Sequence, residues 1–254
     1  MPAADTIGII GAGRLARFVV EGLRQAGSAE NIVLSPRNAD AAAALAASHG
    51  CRIAADNQAV IAAAPVIIVA TPPKATLATI AALDWPADRL LICTAIDVDL
   101  AGLRAAAGGA RVVRAMPTAA SAIGLGSTPL CPPEPMAQAL FARFGDTFAF
   151  EDEAAFNAAS ALSVYHLWLF GLMQTVADRA VAAGLDRASA DGMIASLTRS
   201  AGTLASTPLR APLDRNGTPG TMTAQGLAVI EAANAMAPWG AAMGVAIERA
   251  SGRS

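Results

Sequence analysis

Short apolar runs alternate with alanine-rich segments from residue 6 to about residue 150, and this alternation limits the fold of the 254-residue chain more than any other feature. The pattern is typical of strand–helix–strand units wound into a doubly wound parallel sheet. The runs at 66–70 and 90–93 are almost wholly apolar, as expected for central strands that helices cover on both faces. The predicted strands are residues 7–10, 31–34, 66–70, 90–93, 111–115 and 147–150.

A second region begins after Glu151, where the strand-like runs end. Helical periodicity then extends through residues 154–183, 188–206 and 221–235. We therefore predict an α/β domain at residues 1–150, followed by an all-helical domain at 151–254. The first helix is expected to run unbroken from 154 to 183. Its most apolar stretch, residues 158–173, is shorter than the roughly 20 residues of a membrane-spanning helix, so we interpret it as a buried helix and expect no membrane association.

Composition excludes some classes of partner. Lys and Arg number 18 and Asp and Glu 20, so the formal net charge is −2 and there is no basic excess for binding nucleic acid. Charged residues make up only 15% of the chain, which indicates apolar surface covered between subunits of a homo-oligomer, most simply a homodimer. The spacing of Cys51, Cys93 and Cys131 predicts neither a metal site nor a disulfide. The N-terminal sequence does not resemble a secretion signal, which favours a cytoplasmic location.

The first predicted strand runs into the glycine motif Gly11-x-Gly13-x-x-Ala16 and then into a helix. Gly11 permits the tight turn, Gly13 lets the backbone approach a pyrophosphate, and Ala16 allows close packing of helix on strand. Placed at the first strand of such a series, the motif predicts a Rossmann-type dinucleotide-binding domain. The predicted cofactor contacts in this loop are Gly11, Ala12, Gly13, Arg14 and Leu15.

The residues after the second strand indicate which dinucleotide is bound. An NAD-specific site carries Asp or Glu there, but this chain has Ser35, Arg37 and Asn38. A hydroxyl, a guanidinium and an amide suit a 2′-phosphate, so the sequence predicts NADP(H). The alternative is that Arg37 is only a solvated loop charge.

Proline follows three predicted strands, at Pro36, at Thr71-Pro72-Pro73 and at Met116-Pro117. The carboxyl ends of parallel strands form the ligand crevice of such a sheet. We therefore predict that Thr71, Pro72, Met116 and Pro117 contact the cofactor, with the last two shaping the wall beside the nicotinamide.

Four segments together resemble the pyrroline-5-carboxylate reductase family: residues 7–16, Arg111 to Pro117, the Gly124-Leu125-Gly126 turn, and Thr218 to Thr223. The resemblance extends from about residue 6 to residue 249. It implies a dinucleotide-binding domain followed by a helical dimerisation domain. It also implies that NAD(P)H reduces the C=N bond of pyrroline-5-carboxylate to give proline.

The segment 218–223 replaces the family's Ser-Pro-Gly-Gly-x-Thr, and Thr223 falls on the threonine that hydrogen-bonds the substrate near its ring nitrogen. Because the segment opens a helix, its N–H groups together with the Thr218 hydroxyl are expected to hold a substrate carboxylate. The predicted substrate-binding residues are Thr218, Gly220, Thr221 and Met222. The alternative is an ordinary helix cap by Thr218, with Pro219 as the first helical residue.

Residues 160–166 replace the family's Ser-Gly-Ser-Gly-Pro-Ala-Tyr. The loss of glycine and proline is expected to leave the helix uninterrupted and to place Leu162, Val164 and Tyr165 near the substrate. Tyr165 and His166 join Thr223 as candidate catalytic residues, since either is able to supply a proton to the imine nitrogen. The alternatives are aromatic packing between subunits for Tyr165 and a core position for His166.

Other segments also depart from the family. Met-Pro-Asn-Thr-Pro becomes residues 116–120, and Val-Lys-Pro becomes residues 71–74. Three function classes therefore stay open: an NADPH-dependent reductase of pyrroline-5-carboxylate or a related cyclic imine, an NADP-dependent carbonyl oxidoreductase on the same frame, and a non-catalytic NADP-binding protein.

Overall fold

The structure is a computed structural model that describes residues 6–205, 218 and 220–252. In this part of the chain eight strands form one sheet in the order β3-β2-β1-β4-β5-β6-β7-β8. The strands are β1 (Thr6–Ile10), β2 (Asn31–Leu34), β3 (Arg52–Ile53), β4 (Val66–Val69), β5 (Leu90–Cys93), β6 (Arg111–Ala115), β7 (Gly126–Cys131) and β8 (Gly145–Ala149).

Helices alternate with the strands and then continue alone. Those of the sheet region are α1 (Arg14–Gln25), α2 (Ala39–His49), α3 (Asn57–Ala63), α4 (Pro73–Ala81), α5 (Leu100–Ala107) and α6 (Pro135–Phe141). The later helices are α7 (Glu153–Ala161), α8 (Tyr165–Ala182), α9 (Arg187–Leu204), α10 (Met222–Ala232) and α11 (Met236–Ala250). Short 3₁₀ turns occupy Ala119–Ile123, Ala142–Phe144 and Leu162–Val164.

The prediction of a doubly wound α/β sheet is confirmed. Every residue of β1, β4 and β5 is buried, because helices pack on both faces of the central strands. Separate hydrophobic clusters lie on the two faces, one containing Ile9 and Phe141, the other Ile10 and Phe156. Alternate residues of β1 thus enter opposite cores, as the two-residue repeat of a strand requires.

Two strands were missed. β3 has only two residues, and β7 contains Pro129 and begins at Gly126, features that argue against a strand in sequence. β7 runs antiparallel to β6, while β8 runs parallel to β7. The sheet is therefore mixed at this edge and not parallel throughout.

The expected unbroken helix from 154 to 183 is wrong, because the 3₁₀ turn Leu162–Val164 separates α7 from α8. Glycine and proline are not needed for this break. The buried pattern changes at the same point: Phe156 and Ala161 in α7 are buried, whereas Leu167 in α8 is 74% exposed. The chain also divides here into two compact units, one made of Met1–Ser163 with Ile247–Ser254 and the other of Val164–Ala246.

The interpretation of residues 158–173 as a buried helix is also wrong for the single chain. Leu167 and Phe170 are mostly exposed, and Ala177 is the buried residue of α8. The neighbouring helices α9 and α10 expose large apolar side chains as well, including Leu197 and Val229. Of the helices described, none combines the length and apolar character that a membrane span requires.

Candidate functional site

The loop between β1 and α1 has the geometry that its two glycines predict. Gly11 has φ +103°, and a Cβ there would lie 2.6 Å from the carbonyl oxygen of Ala70. At Gly13, the N-cap of α1, a Cβ would meet open space, with no described heavy atom within 4 Å. Gly11 therefore permits the loop to pack against the end of β4, and Gly13 leaves room for a ligand at the helix N-terminus.

Side chains from the next crossover hold this loop. Ser35 is buried, and its hydroxyl oxygen accepts the N–H of Gly11 at 2.9 Å. Asn38 has a left-handed backbone, with φ 61° and ψ 64°, and its Nδ2 donates to the carbonyl oxygen of Ala12 at 3.4 Å. The residues predicted for the 2′-phosphate thus also orient the glycine loop.

A second support lies after β4. The Oγ1 atoms of Thr71 and Thr76 are 2.9 Å apart, and Thr76, which is fully buried, also donates to the carbonyl oxygen of Pro72 at 3.1 Å. Thr76 was not predicted as part of the site. Its signal in the sequence is a hydroxyl in the first turn of the helix that follows a crevice strand, where such side chains bond nearby backbone.

These loops enclose a cavity of about 500 Å³ at the carboxyl ends of β1, β2 and β4. It is lined by Ile10, Gly11, Ala12, Gly13, Ser35, Arg37, Asn38, Ala70, Thr71, Pro72 and Ala75. Among these described lining residues Arg37 carries the one charge, and there is no carboxylate. An exposed guanidinium beside the glycine loop suits an anionic dinucleotide. A lining without a carboxylate suits a dinucleotide that carries a 2′-phosphate.

The other predicted cofactor contacts lie outside this lining. Leu15 packs against the core beneath the loop, and Arg14 is exposed at the start of α1. Met116 packs against the second core cluster, and Pro117 is buried just after β6. The thiol of Cys93 at the end of β5 is also buried, and burial raises its pKa, so it stays protonated at neutral pH and is no nucleophile.

The predicted substrate segment begins α10. The N-cap of α10 is Thr221, whose Oγ1 accepts the N–H of Ala224 at 3.2 Å and donates to the carbonyl oxygen of Thr218 at 2.8 Å. The alternative of a cap by Thr218 is therefore wrong, because the N-cap, Thr221, lies three residues later. Pro219, assigned there to the first helical position, lies outside the described residues.

Thr223, the candidate for the ring nitrogen, is exposed in the first turn of α10. Gly220 has φ +86°, and Met222 is 89% exposed. The exposed residues Met222 and Thr223 thus stand beside the capped start of the helix.

Tyr165 and His166 open α8, and both are exposed in the single chain. The interpretation of His166 as a core residue is therefore wrong for one subunit. Nearby, Trp168 of α8 and Trp239 of α11 meet edge to face, with ring centroids 6.2 Å apart. This pair ties α8 to α11 beside the two candidate proton donors.

Two family models match the chain. Residues 6–96 match the family described as NADP oxidoreductase, coenzyme F420-dependent, and residues 153–253 match pyrroline-5-carboxylate reductase dimerisation. The pyrroline-5-carboxylate reductase of Methanosarcina acetivorans is 30% identical over 197 residues, which are 72% of this chain and 73% of that protein. The chain belongs to the pyrroline-5-carboxylate reductase family. The resemblance predicted from the sequence is thereby confirmed.

Two further relatives are also pyrroline-5-carboxylate reductases. The pyrroline-5-carboxylate reductase of Pisum sativum is 28% identical over 72% of this chain and 70% of that protein. The enzyme of Pseudomonas aeruginosa is 30% identical over 72% of each.

Solved structures share the fold. A pyrroline-5-carboxylate reductase from Coxiella burnetii superposes with a TM-score of 0.84 at 24% identity, covering 99% of each chain. The pyrroline carboxylate reductase of Plasmodium falciparum, solved with NADP bound, has a TM-score of 0.86 at 17% identity, again over 99% of each chain. An imine reductase from Aspergillus terreus has a TM-score of 0.61 at 17% identity, over 99% of this chain and 89% of that one.

The segment Arg111 to Pro117 is tied to α7 through Arg114. Arg114 is buried, and its Nη1 lies 2.6 Å from Oε1 of Glu153 and 2.9 Å from Oδ1 of Asn157. Its guanidinium carbon stands 4.5 Å from the centroid of the Phe156 ring. The same Oε1 of Glu153 accepts the N–H of Leu100, so one carboxylate joins β6, α5 and α7.

Proposed function

We propose that this protein is an NADPH-dependent reductase of a cyclic C=N bond, with pyrroline-5-carboxylate as substrate and proline as product. The observation that carries the proposal is the cavity beside the glycine loop of this family member. Arg37 is the charged residue of its described lining, and that lining contains no carboxylate. Two further facts support the proposal. The relatives named above are pyrroline-5-carboxylate reductases, and the four segments of the resemblance lie along most of the chain.

NADPH, when bound, supplies the hydride for the carbon of the C=N bond. The loop Gly11-Ala12-Gly13 and the start of α1 would hold its pyrophosphate, with Arg14 and Leu15 in the first turn. Arg37 and Asn38 would bind the 2′-phosphate, and Ser35 would fix the loop through Gly11. Thr71, Pro72, Met116 and Pro117 would line the nicotinamide end, because all four follow strands whose carboxyl ends face the crevice.

The substrate would bind through residues of the helical region. The start of α10, from Thr218 to Met222, would hold the carboxylate through backbone N–H groups, and Thr223 would hydrogen-bond the ring nitrogen. A proton must reach that nitrogen, and Tyr165 and His166 are the candidate donors. Imine reduction needs orientation more than a strong acid or base, which suits this set of backbone N–H, hydroxyl and imidazole groups.

The dimerisation model matched over residues 153–253 supports a homo-oligomer, and we propose a homodimer in which α8 is covered by the second copy. The exposed apolar side chains of α8 and α10 are what such an interface would bury. We also propose that residues 1–150 form the nucleotide-binding domain and residues 151–254 the dimerisation and substrate domain. The location that we propose is the cytoplasm.

The test is NADPH oxidation by the purified protein with pyrroline-5-carboxylate, with NADH in parallel and with the variant Arg37→Ala. Loss of a charge-assisted hydrogen bond weakens binding by roughly 10- to 100-fold, so Arg37→Ala is expected to raise the Kd for NADPH by that factor and to leave NADH binding unchanged. Arg52→Ala, an exposed arginine on the adjacent edge strand, is the matched control.

Three results would contradict the proposal in different ways. An unchanged Kd for NADPH in Arg37→Ala would show that Arg37 does not bind the 2′-phosphate and is only a solvated loop charge. Turnover of ketones but not imines would favour a carbonyl oxidoreductase. Tight NADPH binding with no turnover of either class would indicate a non-catalytic NADP-binding protein.

A further inference from the structure

The loop that follows β5 is held by the C-terminal end of α11. Asp97 in this loop accepts two hydrogen bonds from Arg249, with Nη1 2.5 Å from Oδ1 and Nη2 2.6 Å from Oδ2. The two residues are 152 positions apart in sequence, yet both belong to the compact unit made of Met1–Ser163 and Ile247–Ser254. A planar guanidinium that meets a carboxylate through two parallel bonds fixes both the position and the orientation of that carboxylate.

The backbone of Asp97 needs a contact of this kind. Its φ is +65°, in the left-handed region that residues with a Cβ adopt only at a cost. Such a conformation persists where the surrounding structure holds it. The far end of the loop is fixed separately, because the Leu100 N–H bonds to Oε1 of Glu153 at 2.9 Å. Among the residues that the structure describes, Arg249 is the hydrogen-bond partner of the Asp97 side chain.

The loop 94–99 leaves the sheet between the two strand ends that we assign to the nicotinamide. β5 lies between β4 and β6 in the sheet. Thr71 and Pro72 follow β4, and Met116 and Pro117 follow β6. The loop therefore starts at the carboxyl edge of the sheet between these two pairs, where a shift of the loop changes the space open to the nicotinamide ring.

We infer that Arg249 is a positioning residue for hydride transfer: by fixing Asp97 it keeps the loop 94–99 in the conformation that aligns the nicotinamide with the C=N carbon of the substrate. This inference rests on the proposed function, because it concerns the same cofactor site. The residues that would bind the phosphates of NADPH lie at the ends of β1 and β2, on the opposite side of β4 from β5. Arg249 is therefore expected to affect the rate of reduction and not the affinity for NADPH.

The test measures kcat and KM for pyrroline-5-carboxylate, the Kd for NADPH and the melting temperature in the wild type and in Arg249→Met. A displacement of about 1 Å at a reacting group can cost roughly 100-fold in rate, so Arg249→Met is expected to lower kcat by about tenfold or more. The Kd for NADPH is expected to stay unchanged. The melting temperature is expected to stay close to that of the wild type, because the Arg249 side chain is 52% exposed and an exposed ion pair adds little stability.

A variant of the partner shows whether Arg249 acts through this contact. Asparagine tolerates the left-handed backbone and carries no charge, so Asp97→Asn weakens the pair without straining the loop. It is expected to lower kcat as well. The double variant Asp97→Asn/Arg249→Met is expected to be no slower than Arg249→Met alone, because the two changes remove the same contact.

Arg187→Met provides the matched control. The Arg187 side chain is 51% exposed and pairs with Asp178 at 2.5 Å, so the variant removes an ion pair of similar exposure elsewhere in the chain. It is expected to leave kcat unchanged. If Arg249→Met fails to fold, as judged by circular dichroism, Arg249→Lys carries the same test with a smaller expected loss, because lysine keeps the charge and lacks the planar fork.

The outcomes separate the two proposals. Turnover of pyrroline-5-carboxylate by the wild type with an unchanged kcat in Arg249→Met would overturn the role of Arg249 and leave the proposed function standing. A double variant that regains the wild-type kcat would also overturn it, because the loss would then come from the unpaired charge of Asp97 and not from the position of the loop. An equal fall of kcat in Arg187→Met would do the same. No turnover by the wild type would overturn the proposed function and this inference together.

Discussion

The hydroxyl oxygen of Ser35 lies 2.9 Å from the amide nitrogen of Gly11 and accepts its N–H. The bond joins the carboxyl end of β2 to the glycine loop after β1, across 24 residues of sequence. Ser35 is fully buried, and both residues line the cavity, so the bond forms part of the wall of the candidate site. The side chain that the sequence assigned to the 2′-phosphate therefore supports the loop that would bind the pyrophosphate.

Replacing Ser35 with alanine tests this support. Loss of one neutral hydrogen bond costs about 1 kcal/mol, so Ser35→Ala is expected to weaken both NADPH and NADH about fivefold in calorimetric titrations. Ser48→Ala, on the exposed side of α2, is the control and should leave both affinities unchanged. If Ser35→Ala weakened NADPH alone, direct contact with the 2′-phosphate would explain the result better than support of the loop.

The sequence predicted the sheet well where local pattern and tertiary packing agree. The runs 66–70 and 90–93 became β4 and β5, and the glycine motif became the turn between β1 and α1. The sequence-based prediction missed β7, because Pro129 argues against a strand. In the folded chain this strand pairs with β6 on one side and with β8 on the other. The prediction also failed at Leu162–Val164, where the helix breaks and the buried face changes although no glycine or proline marks the position.

The candidate site was predictable by residue but not by role. Gly11, Gly13, Arg37, Asn38, Thr71 and Pro72 do line one cavity. Sequence spacing shows which strand end a residue follows, yet it does not show which partner its side chain meets. The bonds from Ser35 to Gly11 and from Thr221 to Ala224 depend on backbone positions that only the folded chain brings together.

Gly11 and Gly13 are expected to respond differently to alanine. A Cβ at residue 11 would lie 2.6 Å from the Ala70 carbonyl oxygen on a backbone with positive φ, so Gly11→Ala is expected to lower both the melting temperature and NADPH affinity. A Cβ at residue 13 meets open space in the protein, so Gly13→Ala should melt like the wild type and lose NADPH affinity by tenfold or more. Unchanged NADPH affinity in Gly13→Ala would show that the loop does not approach a ligand.

Arg114 and Arg111 lie on the same strand and form ion pairs in different surroundings. Arg114 has a side chain only 4% exposed and pairs with Glu153, whereas Arg111 is 46% exposed and pairs with Glu134. Arg114→Met is expected to lower the free energy of unfolding by about 2 kcal/mol, since it removes charged hydrogen bonds from a buried network. Arg111→Met should cost under about 1 kcal/mol. Urea denaturation measures both, and equal losses would contradict a structural role for the Arg114 network.

The helical region is expected to require a second copy of the chain. Leu167 and Phe170 of α8 are 74% and 63% exposed in the single subunit, and apolar surface of this kind marks an interface between proteins. Sedimentation velocity should therefore give a species of at least twice the chain mass, and Leu167→Arg should shift it toward the monomer. Ile53→Arg is the control, because Ile53 is 40% exposed on β3 at the edge of the sheet, remote in sequence from the dimerisation match. A wild-type monomer at micromolar concentration would rule out the proposed homodimer, and dissociation by both variants would show that α8 is not the specific contact.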